Sequence, residues 1–349
     1  MDLEKKIGEL FIVGFQGTTI EPGSQIENDL AQKNLGGVVL FDRCLTNPIL
    51  PGNIESPDQL KILTSAINNL AATPPFISVD QEGGLVQRLG QRNGFLGSAS
   101  AAEMGHSPKG IAFTELQAEA TAKMLGQAGI NTNFAPVVDL DINAENPIIG
   151  KLGRSFSDKP DIVIRHAESW IRCHREHSVI SCLKHFPGHG SSTSDSHLGF
   201  VDISATWDEH ELMPYQELIS KGLVDMIMTG HLFNRLLDPV FPATLSATTI
   251  QDLLRQKLGF DGVVLTDDMQ MKAITSRYDF QEALCQSFAA GIDIIVIGNN
   301  LEYDPLIFQK AVRAVCQGVR QGMVAESRLY DALQRVRTLK QFFIGKSNG

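Results

Sequence analysis

The chain has 349 residues, 43% of them apolar and 20% charged, which is the make-up of a water-soluble globular protein with a sizeable core. Its net charge of −10, with no basic run, disfavours a nucleic-acid partner or an anionic membrane surface. The five cysteines are widely spaced and form no CxxC, so disulfides and thiolate zinc sites are not expected and a reducing compartment fits.

The first fifteen residues, MDLEKKIGELFIVGF, carry acidic groups and only a brief apolar run. They do not read as a signal peptide, and no apolar stretch is long enough to span a bilayer. The expected location is the cytoplasm. Eight short apolar runs then recur along the chain, at 10–15, 36–41, 75–79, 130–138, 179–184, 225–229, 262–266 and 292–297. Most are apolar throughout rather than alternating, as strands covered on both faces are in parallel sheets. Helix signals fill the gaps. Ser56, Pro57 and Gln59 open one helix, whose apolar positions are Leu60, Leu63, Ile67 and Leu70. The Gly-, Ser- and Ala-rich stretch 94–109 reads as a long loop before a helix at 113–125. Thr206 and Glu209 form a capping-box pattern. Ser246 precedes a helix that Gly259 closes, and Asp304-Pro305 starts another.

Strand and helix alternating eight times predict a closed (β/α)8 barrel, with a doubly wound open sheet as the rival. Neither a repeat nor a linker marks a second domain, so residues 1–349 read as one.

Functional groups of such barrels gather at the carboxyl ends of the strands. Polar residues follow five of the eight runs: Asp80 to Glu82, Asp139, Lys184-His185, His231 and Asp267-Asp268. A shared polar pocket accounts for them together. Asp267 projects from a wholly apolar strand and is a candidate nucleophile, metal ligand or electrostatic anchor. Residues 184–200, KHFPGHGSSTSDSHLGF, read as an exposed, mobile loop. Within it, Asp195 and His197 stand two apart, so in extended backbone they share a face. A carboxylate on one ring nitrogen fixes the tautomer and makes the other nitrogen a usable acid and base. Asp267 with His197 gives a double displacement, in which one group attacks carbon and the other protonates the leaving oxygen and then activates water. Arg88 and Arg154 are candidates for fixing hydroxyls or an anionic group. Asp80 would accept from sugar hydroxyls.

The run Lys184-His-Phe-Pro-Gly-His-Gly190, followed by Asp195-Ser-His197, closely resembles the signature of glycoside hydrolase family 3 β-N-acetylglucosaminidases. Blocks at 36–41, 80–88, 133–139, 146–156, 242–246 and 266–269 extend the likeness over most of the chain. The resemblance implies a TIM-like barrel and a retaining mechanism without a cofactor. In it, Asp267 is the nucleophile, His197 the acid/base and Asp195 its orienting partner. It places Asp80, Arg88, Arg154, Lys184 and His185 on the N-acetylglucosamine. Many longer members draw the acid/base from a second domain, whereas this chain ends soon after the eighth unit and is expected to supply its own.

The chain departs from the family at Ser191, often acidic in relatives, and at Leu85, often arginine. Both departures bear on the aglycone. Similar single-domain bacterial enzymes release N-acetylglucosamine from anhydromuropeptides, so a monomeric wall-recycling hydrolase is the expectation. Three alternatives stay open. A metal-dependent amidohydrolase would draw zinc ligands from His185, His189, His197, His231 and Asp267, although no HxH pair follows an early strand. A non-catalytic sugar-binding protein would keep the pocket. A phosphorylase would exploit the absence of negative charge on a histidine shuttle.

Overall fold

Continuous apolar runs bury both faces of a strand, and here they do so eight times. The computed structural model describes residues 2–47, 51–196 and 198–344. The strands are β1 (Phe11–Gly14), β2 (Gly37–Val39), β3 (Phe76–Val79), β4 (Thr132–Asn133), β5 (Ile180–Phe186), β6 (Met226–Thr229), β7 (Val263–Thr266) and β8 (Ile295–Ile297). Every residue in them is buried. All pair in parallel and in chain order, and β1 lies between β2 and β8, with Val13 facing Val38 on one side and Ile297 on the other. The seam between β7 and β8 is closed by backbone bonds from Asp293 and Ile294 to the Val264 carbonyl, at 2.8 and 3.1 Å. A parallel bridge joins Leu265 to Ile294. This is the (β/α)8 barrel, not the open sheet.

The helices form the outer layer. Pro57–Leu70 begins as expected, with the Ser56 hydroxyl accepting from Gln59 N at 3.2 Å. Ile111–Gln127 and Pro160–Glu176 pack as neighbours behind β4 and β5. Thr248–Lys257 is a π-helix, started by Ser246 and stopped by Gly259 at φ +73°.

Several expectations need correcting. Of residues 130–138 only Thr132–Asn133 form a regular strand; Pro136, which has no N–H, interrupts the run, and pairing resumes as a single parallel bridge between Val137 and Lys184. The stretch 94–109 is not loop throughout. Ser100 and Glu103 form a reciprocal capping box and nucleate the helix Ala101–Gly105. The Thr206 box does not form. Asp208 caps a short 3-10 turn instead, accepting from His210 N at 2.9 Å. The helix after Asp304-Pro305 starts later, at Ile307.

The end of the barrel opposite the carboxyl-terminal mouth is tied by charge. Asp293 is fully buried and receives Arg255, Arg328 and Arg335. Glu9 receives Arg337 at 2.8 Å. A cleft of about 670 Å³, lined by Arg175, Asp225, Arg335 and Phe342 among others, opens on that same face. All five cysteines are free thiols. Among the described residues, no helix is long and apolar enough to cross a membrane.

Candidate active site

Three strand ends build the floor of the site. Asp80 and Glu82 follow β3 and are two residues apart, so both reach the mouth. Asp139 follows Val138, whose N–H donates to the Lys184 carbonyl at 3.0 Å and so sets Asp139 beside β5. Lys184 and His185 lie inside β5 itself.

The ion pairs interlock. Lys184 Nζ donates to Glu82 at 2.6 Å and to Asp80 at 2.8 Å. Arg154 grips Glu82 with two N–H groups, at 2.7 and 2.8 Å, and gives a third to the Ile148 carbonyl at 2.9 Å. Arg88 reaches Asp80 at 3.3 Å. The His185 ring sits between Asp139, 2.7 Å from Nδ1, and Arg154, 3.3 Å from Nε2.

Burial alone would raise the Glu82 carboxyl, but Arg154 and Lys184 outweigh it and hold it at about 2. Asp80 is also held below the usual carboxylate range, burial being overcome by Lys184 and then Arg88. Lys184 is buried, which works against its charge, yet the two carboxylates keep it above the ordinary lysine value. Asp139 stays low because His185 overcomes its burial. The floor therefore holds three carboxylates against Lys184, Arg154 and Arg88. A balanced, fully ionised surface with many donors and acceptors suits an uncharged polyhydroxylated ligand better than an ion. Asp80 and Arg88 are its outermost members, each about one-fifth exposed. Arg88 Nε is a buried donor with no hydrogen-bond partner among the described residues.

Asp267 stands where β7 ends, half-buried. Its N–H donates to the Thr229 carbonyl at 3.1 Å, and its Oδ1 accepts from Asp268 N at 2.8 Å. Following the carboxyl end of β7, it stands on the same mouth of the barrel as the ion-pair floor. Asp268 serves structure. Its Oδ1 accepts from Gln270 N and Gly298 N at 3.0 and 2.8 Å, tying β7 to β8.

His197, expected as the acid/base, lies outside the described residues. Asp195 is described and half-buried, two residues before it. The backbone carbonyl of the intervening Ser196 accepts from Ala273 N at 3.2 Å, so this loop touches the segment that follows Asp267.

Residues 184–192 are not the exposed loop that their composition predicts. They are buried, with His189 at 1% and Ser192 at 0% exposure. Their polar groups are met from outside: Asn146 Nδ2 donates to the carbonyls of His189 and Gly190, and the Ser192 hydroxyl meets His189 Nδ1 at 2.7 Å. Of the proposed zinc ligands, His185 is engaged with Asp139 and His189 with Ser192. His231 has Thr244 on Nδ1 and the Asp268 carbonyl on Nε2. Among the described residues, no three His, Cys, Asp or Glu side chains gather so as to hold an ion.

Sequence reasoning named Asp80, Arg88, Arg154, Lys184 and His185, and the fold brings them together. It noted Glu82 only as a polar residue after β3 and gave no role to this centre of the network. The alternation Asp80-x-Glu82 at a strand end was the available signal, since side chains two apart share a face.

A charged basin at the carboxyl ends of eight parallel strands, with a carboxylate projecting from the seventh, is the plan of a (β/α)8 enzyme. The chain belongs to the family described as glycosyl hydrolase family 3 N terminal domain, whose model matches residues 2–339. It is 30% identical to Beta-hexosaminidase A of Pseudoalteromonas piscicida over 93% of this chain, but spans only 56% of that protein. It is 32% identical to a Beta-hexosaminidase of Alkalilimnicola ehrlichii, covering 85% of this chain and 83% of the relative. A solved glycoside hydrolase family 3 β-N-acetylglucosaminidase from Paenibacillus sp. str. FPU-7 superposes with a TM-score of 0.90 at 31% identity, over 100% of this chain and 64% of that one.

Proposed function

We propose that the chain is a retaining exo-β-N-acetylglucosaminidase acting as one catalytic barrel domain. The observation that carries this reading is the position of Asp267 at the carboxyl end of β7, the end of the barrel that holds the ion-pair floor, in a chain similar along its length to a β-N-acetylglucosaminidase. Asp267 attacks the anomeric carbon and forms a glycosyl ester while His197 protonates the leaving oxygen. His197 then takes a proton from water, which attacks the ester and releases the sugar. Asp195 orients the histidine. Asp80, Arg88, Arg154, Lys184 and His185 hold the sugar. No step calls for a metal or an organic cofactor. Free thiols suit the cytoplasm, where N-acetylglucosamine-capped peptidoglycan fragments are the proposed substrates of a monomeric enzyme.

The test compares aryl β-N-acetylglucosaminide with aryl β-glucoside, each with and without phosphate. A higher kcat/KM on the acetamido sugar and free N-acetylglucosamine as product are expected. Equal kcat/KM on both sinks the specificity. A sugar 1-phosphate as product makes the enzyme a phosphorylase.

Replacing His197 with alanine is expected to slow substrates in proportion to the leaving-group pKa. A dinitrophenolate departs unaided, whereas a sugar alkoxide needs the proton, a help typically worth ~10²–10⁴-fold. A plot of kcat/KM against leaving-group pKa reads only the first step. A slope as flat in His197→Ala as in the parent removes the histidine from the acid role.

A further inference from the structure

The turn that leaves β5 is gripped by two carboxylates. The N–H groups of His185 and His189 donate to Asp139 Oδ1, at 3.1 and 2.8 Å. The next two, from Gly190 and Ser191, donate to Glu211 Oε2 at 2.8 and 3.4 Å. Glu211 stands on the 3-10 turn Glu209–Leu212 and is 1% exposed. The fit leaves no room for side chains. A Cβ on Gly188, at φ +122°, would lie 2.6 Å from the Glu211 Cβ, and one on Gly190 would lie 1.9 Å from the Leu140 carbonyl oxygen.

The two grips differ in charge. Asp139 remains ionised, as described above. Burial pushes the Glu211 carboxyl up to about 7; Asp139 adds to that rise, while the Ser191 hydroxyl and the two N–H groups oppose it. Around Glu211 stand Asp139 from the segment after β4, Tyr215 from the helix Met213–Ser220, and the gripped turn itself. Tyr215 is neutral, its hydroxyl raised by burial and then by Asp139. On the turn, His189 is pulled down to about 4 by burial and by His185, so it too is neutral near pH 7.

We infer that Glu211 is a positioning residue whose carboxylate clamps the turn at Gly190 and Ser191, and that protonating it loosens the segment leading on to Asp195 and His197. A charged acceptor makes hydrogen bonds roughly twice as strong as a neutral one. The clamp therefore tightens as pH rises through about 7. Global stability moves the other way. A carboxyl raised from 4.5 in the folded chain favours folding while protonated, and that contribution is lost as pH climbs through about 7. The enzyme thus trades stability for a fixed loop across the neutral range. The catalytic consequence rests on the function proposed above; the clamp does not.

Two measurements on the full chain decide it. The first is amide exchange at Gly190 and Ser191, corrected for intrinsic rate. Protection in the parent should rise by ~10-fold between about pH 6 and 8, since one strengthened bond is worth about that factor. In Glu211→Gln, whose amide does not titrate, it should stay flat. The second is kcat/KM on a disaccharide. The parent should show an ascending limb near pH 7 that Glu211→Gln lacks, whereas a dinitrophenyl glycoside, which needs no acid, should show no such limb in either protein. Flat protection in the parent, or the same protection profile in Glu211→Gln, overturns the clamp. A limb retained by Glu211→Gln overturns its link to catalysis. A parent inactive on every glycoside rejects the proposed function, and the exchange result still decides the clamp.

Discussion

Asp267→Asn is expected to fold like the parent and to lose turnover by roughly 10⁴-fold or more, as removal of a covalent nucleophile does. The local fold survives because an asparagine oxygen can still accept from Asp268 N, the contact that Asp267 Oδ1 makes at 2.8 Å. The Thr229–Asp267 backbone bond is untouched. What disappears is the charge proposed to attack the anomeric carbon, and a neutral amide forms no ester. The loss should be similar for good and poor leaving groups, since attack is common to both. That separates it from the histidine variant, whose loss is graded. A fluorinated N-acetylglucosaminide that slows ester hydrolysis should label Asp267 in the parent. Peptide mass analysis finding the label on another carboxylate would move the nucleophile there.

The largest expected effect on stability lies at the other end of the barrel. Asp293 accepts from Arg255 and Arg328 at 2.6 Å each, from Arg335 at 3.2 Å and from Val264 N at 3.0 Å. The Arg255 side chain is 8% exposed and that of Arg328 14%. Burial holds Arg255 below its ordinary value, Arg335 and Arg328 push the same way, and Asp293 pulls it back up. Asp293→Asn removes the charge that pairs Arg255, Arg328 and Arg335 and leaves guanidinium groups buried together, at a cost of about 3–5 kcal/mol. Urea unfolding followed by circular dichroism measures it. Below the transition, kcat/KM should stay within about twofold of the parent, because Asp293 lies at the end of the barrel away from the strand carboxyl termini. A midpoint unchanged to within about 1 kcal/mol would mean that water, not Asp293, compensates these arginines.

The strands were legible because burial on both faces leaves a signature in consecutive residues. The register that closes Leu265 onto Ile294 leaves none, and β4 stops short because Pro136 breaks a run that is apolar on both sides of it. In the ion-pair network, residues recognised by their own chemistry and position, such as Asp80 and Lys184, were singled out from the sequence. Those whose meaning comes from a distant partner were not. Glu82 was noted only as one of the polar residues after β3, and its role comes from Arg154, 72 residues away. Asp139 was noted at a strand end, but nothing local says that it accepts from His185, 46 residues on. Glu211 was not singled out at all, and its burial follows from the turn packed above it. The same partners explain why 184–192, polar and glycine-rich, is interior.

The charged ties at the amino-terminal end of the barrel also set a timetable for synthesis. Glu9 is met by Arg337, 328 residues later, and Asp293 is met by Arg328 and Arg335 from the same helix, Glu326–Phe343. β1 can pair with β2 early, but its other edge waits for β8, and the carboxylates at that end wait for the helix beyond it. A nascent chain halted before that helix leaves the ribosome would present an unsealed edge strand and uncompensated buried acids, the condition in which strands pair with the wrong neighbour. Completion of the barrel therefore waits for that helix, and chaperone dependence should fall on the stretch from β8 to Phe343 rather than on the first strands.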